Sequence, residues 1–179
     1  MPLSVAVNMK RYGVLWDVEN LAYQGRLGTY MQRVEVGERL GRLLPVFMRK
    51  AGFLPDLPWH LSFARPHLPA VFKRIVREAG FSLELVSGGH KNRADGMFKK
   101  ALRRGSLDTR PPLPQLMCVI TGDSDFFSVI RRLRTLRCRV WVLNSHEGDT
   151  GACLHAGRGG VRGADRFVSF EDVFQMPLV

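Results

Sequence analysis

Apolar positions follow two rhythms along this chain. Short, nearly unbroken apolar runs at residues 12–16, 59–64, 81–86, 116–120 and 139–144 predict five strands, and 166–169 a short sixth. Between them the apolar spacing is helical. Residues 36–51 carry Leu40, Leu43, Leu44, Phe47 and Met48, and 70–79 carry Val71, Ile75 and Ala79. Residues 92–104 place Ala94, Met97, Phe98, Ala101 and Leu102 on one face, and 128–136 do the same with Val129, Ile130, Leu133 and Leu136. Gly80 stops the second helix. Glycine and proline mark the expected loops at 25–29, 53–58, 88–92, 105–114 and 157–163. Strands that alternate with helices, the central ones apolar throughout, predict one α/β domain around a mostly parallel sheet. A length of 179 residues predicts a single domain with its core at about 11–175.

Sheets of this type bind ligands beyond the carboxyl ends of their strands. Two acidic motifs fall there. Thr121-Gly122-Asp123-Ser124-Asp125-Phe126 follows an apolar strand and precedes a helix. Capping by Ser124 or Asp125 explains one polar residue there, not two acids beside a serine. Trp16-Asp17-Val18-Glu19-Asn20 follows the first strand, where a turn-forming Asp17 and a capping Asn20 are the simpler explanation. A third acid, Asp95, stands at a helix start where Asn92 and Asp95 would form a capping box. Gly96 in that first turn weakens the helix and hints at a close approach by another backbone or a ligand. If Asp17, Asp95, Asp123 and Asp125 converge, their mutual repulsion calls for a cation, and all-oxygen donors suit Mg²⁺ or Mn²⁺.

Charge sharpens this picture. Lys and Arg number 27 against 16 Asp and Glu, a net charge of +11, with 21 of the bases Arg. Such a surface fits a polyanionic partner, nucleic acid first. An acidic pocket within it suits metal-assisted cleavage of a phosphodiester. Three widely spaced cysteines without a CxxC pair indicate neither a disulfide framework nor a zinc ribbon. The spacing of His146, Cys153 and His155 fits no usual zinc pattern. No long apolar run predicts a membrane span and no export signal is visible, so an intracellular, non-membrane setting is expected.

At these motifs the sequence resembles the limkain-type NYN domain of the PIN-like ribonucleases. The features that carry the resemblance are GVLWDVENL at 13–21, the Ala94-Asp95 helix and VITGDSDFFSVIRRLR at 119–134. RVWVLN, ACLHA and ADRFVSFEDVF then follow in the same order. The resemblance implies a Rossmann-like three-layer α/β/α fold and metal-dependent cleavage of single-stranded RNA. It implies Asp17, Asp95, Asp123 and Asp125 as the catalytic, metal-holding acids. Asn20, Thr121 and Ser124 would support them, and Lys91, Arg93, Arg131 and Arg132 are expected to contact RNA. Glu19 is expected to point away from Asp17 along an extended segment. The chain departs from the family at Gly96, where an acid or polar residue is usual, and over residues 21–31.

Two other readings stand beside this one. A PIN-like module that holds RNA without cleaving it would keep the fold and the basic surface. A phosphatase of the haloacid-dehalogenase type would need a DxD pair where this chain has Asp17-Val18-Glu19. Pairing into a homodimer is left open by the sequence.

Overall fold

The computed structural model describes residues 9–23, 25–87, 93–103, 107–145 and 163–175, with the side chains at 26 and 93 outside that description. Six strands form one sheet: β1 (Lys10–Trp16), β2 (Phe53–Ala64), β3 (Ser82–Leu85), β4 (Leu116–Ile120), β5 (Arg139–Asn144) and β6 (Arg166–Ser169). Their order is β3-β2-β1-β4-β5-β6 and every pairing is parallel. The helices are α1 (Val18–Tyr23), α2 (Tyr30–Lys50), α3 (Ala70–Glu78), α4 (Arg93–Ala101), α5 (Phe127–Thr135) and α6 (Phe170–Phe174).

Alternation along the strands builds the two faces. Tyr12, Val14 and Trp16 of β1, with Cys118 of β4 and Leu143 of β5, pack under α1, α2, α3 and α6. Leu15, Met117, Val119 and Val142 point to the other side, under α4 and α5. The result is the three-layer α/β/α sandwich expected. No helix among the described residues is long and apolar enough to cross a membrane.

Three boundaries differ from expectation. The expected loop at 53–58 is the first half of β2, in spite of Pro55 and Pro58. Its ladder with β1 is broken there: Tyr12 pairs with Pro55 and Val14 with His60. β3 pairs only with Leu61 to Ala64, so this half lacks a neighbour on that side and its prolines forfeit no bond there. Beside the break, Gly13 lets β2 come close, since a Cβ there would meet Trp59 Cβ at 2.7 Å. The second difference is at α2, which begins at Tyr30 rather than Val36. Thr29 and Gln32 form a reciprocal capping box at its start. The third is α1, which folds where an extended segment was expected. The expected loops at 88–92 and 157–162 lie outside the described residues, as do Lys91, His146, Cys153 and His155.

Candidate active site at the β1/β4 switch

The chain runs outward in both directions from β1: β2 and β3 lie on one side, β4 to β6 on the other. Connections therefore leave the carboxyl ends of β1 and β4 in opposite directions and open a crevice between them. Asp17 follows β1, and Thr121, Gly122 and Asp123 follow β4.

A hydrogen-bond relay joins the two ends. Asp17 N–H donates to the Ile120 carbonyl at 3.0 Å, which extends the ladder by one rung. Asp17 Oδ1 accepts the Asn20 N–H at 3.2 Å, and Oδ2 accepts the Thr121 hydroxyl at 3.0 Å. Thr121 Oγ1 in turn accepts the Asp123 N–H at 3.1 Å. The Asn20 side chain closes the loop by accepting the Gly122 N–H at 3.0 Å. Asn20 thus supports Asp17 through its backbone and fixes the β4 turn through its amide. Asp123 Oδ1 accepts the Asp125 N–H at 2.9 Å, so the acid that caps the short 3-10 turn is Asp123, not Ser124 or Asp125. Ser124 is exposed at the start of that turn, and Asp125 is half-buried.

Asp17 is only 6% exposed and forms no ion pair among the described residues. Burial pushes its carboxyl up to about 7, the charges of Asp123 and Glu19 push the same way, and the Asn20 and Thr121 donors oppose. Glu19 lies in α1, where its carboxylate holds Arg65 through the main-chain N–H and Nε, each at 2.9 Å. The expectation of an extended segment there was wrong because residues 18–23 close a short helix.

Asp95 is equally buried, on the first turn of α4, and forms an i,i+4 ion pair with Lys99. Its second oxygen, Oδ1, has no hydrogen-bond partner among the described residues. A Cβ at Gly96 would meet no atom within 4 Å among the described residues, so no described backbone makes the close approach expected there. Among the described residues no three carboxylate, imidazole or thiolate groups are gathered tightly enough to cage a metal ion. The relay instead brings together Asp17 and Asp123 with Asn20 and Thr121. That donor set still fits Mg²⁺ or Mn²⁺, which are commonly held by one or two carboxylates with water and substrate phosphate completing the shell. A buried carboxylate without a countercharge and a carboxylate oxygen of Asp95 without a partner, both among the described residues, are consistent with a hard cation.

Of the expected RNA contacts, Arg131 is exposed on α5, whereas Arg132 donates Nε to the Leu102 carbonyl at 3.1 Å and braces α4. Arg93 opens α4. The sequence reading missed Asn144. It ends β5, is 1% exposed, and lines a small cavity with Asp17, Asn20 and Thr121. Its Nδ2 has no partner among the described residues. The signal was present: a lone amide closing the apolar run RVWVLN.

No curated protein and no solved structure matches the chain. The family model of the NYN domain matches residues 11–157, which take in β1 to β5 together with Asp17, Asp95, Asp123 and Asp125. With that match over most of its length, the chain belongs to the NYN domain family of the PIN-like nuclease superfamily, whose members typically use divalent metal ions.

Proposed function

We propose that this domain is a metal-dependent ribonuclease that cleaves single-stranded RNA at the β1/β4 crevice. The observation that supports it most is the buried Asp17 carboxylate, fixed by neutral donors and linked through Thr121 to Asp123. Neutral donors orient a carboxylate without neutralising it, which leaves its charge for a cation.

In this reading Asp17 and Asp123 hold Mg²⁺ or Mn²⁺, and Asp125 and Asp95 complete the acidic surroundings. Bound there, the metal would activate a water and stabilise the leaving oxygen of the phosphodiester. Thr121 keeps the two acids in register, and Asn20 holds the Gly122 turn against α1. The net charge of +11 attracts the RNA backbone, with Lys91, Arg93 and Arg131 as candidate contacts by sequence.

A second reading, an RNA-holding module without turnover, is favoured by the Asp95–Lys99 pair, which already neutralises one of the four acids. One experiment separates them. Pure protein is incubated with labelled single-stranded RNA in Mn²⁺, Mg²⁺ or EDTA, beside Asp123→Asn. A nuclease cleaves only with metal, and the variant loses at least about 100-fold in rate while still binding RNA. Binding without cleavage under all three conditions would establish the module instead.

A further inference from the structure

The stretch that departs from the family pattern, residues 21–31, carries three large exposed side chains. Tyr23 is 48% exposed, Tyr30 45% and Met31 69%. Both tyrosines are anchored on one side and open on the other. Tyr23 ends α1, its hydroxyl donates to the His67 carbonyl at 3.5 Å, and its ring lies 6.5 Å from the His67 ring. Tyr30 opens α2 and meets Phe72 edge-on, with ring centroids 5.8 Å apart.

This placement follows from the fold. Helices that return from one parallel strand to the next begin at the carboxyl edge of the sheet, so Tyr30, His67 and the start of α3 stand on the same edge as Asp17. α1 rises roughly 1.5 Å per residue, which puts Tyr23 only about 8 Å along the helix from Val18, the neighbour of Asp17. The Glu19–Arg65 pair locks α1 to the segment that carries His67. Two cations stand on the same helices, Arg33 one turn beyond Tyr30 on α2 and Lys73 next to Phe72 on α3. Arg33 donates Nη1 to the Gly28 carbonyl at 2.8 Å and Lys73 donates Nζ to the Pro66 carbonyl, so each is fixed by a main-chain oxygen.

We infer that Tyr23 and Tyr30 form a base-stacking platform, with Arg33 and Lys73 as phosphate contacts, that holds the single-stranded RNA as it enters the crevice from the β2 side. Anchored, half-exposed rings beside cations suit unpaired bases on a phosphate backbone, because every base offers a stacking face. A paired duplex offers no free base, so the platform selects single strands. The inference rests on the proposed action on RNA, and its test is kept apart from cleavage.

The full chain in EDTA is titrated into single-stranded RNA containing 2-aminopurine, and into a blunt duplex of the same sequence. Binding is read by anisotropy and stacking by quenching of the 2-aminopurine. Tyr23→Ala and Tyr30→Ala should each weaken single-strand binding roughly tenfold and reduce the quenching, with duplex binding changed less than twofold. Tyr23→Phe and Tyr30→Phe should bind as the unaltered protein does, since the ring and not the hydroxyl carries the contact. Single-strand affinity within twofold in the double alanine variant would overturn the platform, as would equal losses on both RNAs. Either result leaves the nuclease reading intact if Asp123→Asn still abolishes metal-dependent cleavage. Conversely, a loss of binding in the alanine variants of a protein that cleaves nothing would keep the platform and remove the nuclease.

Discussion

Two places along β1 bury polar side chains and treat them in opposite ways. At the carboxyl end, both oxygens of Asp17 accept hydrogen bonds and Thr121 serves two neighbours at once. On one face of the sheet, Tyr12 and Trp16 of β1 and His60 of β2 surround a small chamber with Phe81, and their rings touch at centroid distances of 5.2–5.3 Å. There the Tyr12 hydroxyl, the Trp16 indole N–H and both His60 nitrogens have no hydrogen-bond partner among the described residues. The chamber uses polar residues for their flat shapes and leaves their polar atoms orphaned. The cleft uses hydrogen bonds to keep a charge in place. Unsatisfied burial is destabilising, whereas a satisfied but uncompensated carboxylate is a place for a cation.

The Asp123→Asn loss of cleavage is the largest expected effect and tests the cleft side alone. The next tests the chamber. Burial lowers the His60 imidazole to about 4 from its ordinary 6.5, outweighing an opposing pull from the Tyr12 main chain that falls short of a well-formed hydrogen bond. As pH falls below 6.5 the unfolded chain takes a proton that the folded chain refuses, so stability falls from there down to about pH 4 and then levels off. A shift of that size corresponds to about 3 kcal/mol. Urea unfolding of the protein and of His60→Phe at pH 7.5, 5.5 and 4.5 should show their difference growing toward acid in favour of the variant. Parallel curves would mean that the chamber admits protons.

Thr121→Val carries the chamber's defect into the cleft. It removes the donor to Asp17 and the acceptor for the Asp123 N–H within the same volume, and should destabilise by about 1–2 kcal/mol in denaturant titrations. Cleavage should fall as well, because the two acids lose their common link. The smallest effect is expected at Gly96→Ala, where the added Cβ enters open space and α4 should gain about 0.5–1 kcal/mol, read as a higher melting temperature. A loss there would mean that something approaches Gly96 after all.

Much of this was legible in the chain because the central strands are apolar on both faces. β4, β5 and β6 run over the residues that their apolar pattern marks. Helix α6 was not foreseen, and α1 only as a short helix capped by Asn20, since 5 and 6 residues give too few turns to establish a period. Asp17 and Asp123 were visible as acids at strand ends, a local signal. The Glu19–Arg65 pair and the role of Asn144 depend on which strand ends become neighbours. No local pattern carries that information: the hydroxyl of Thr121 reaches Asp17 across 104 residues of chain.

That separation also sets an order of assembly. β1 can pair with β2 early in synthesis, but its other edge pairs with β4 and stays open until the ribosome has passed residue 120. Parallel pairings between distant segments close slowly and leave an exposed strand edge in the meantime. The crevice therefore comes into being only when β4 docks. A nascent chain cut short before that point has Asp17 but not its partner strand, so the crevice is incomplete while the first half of the protein is still being made.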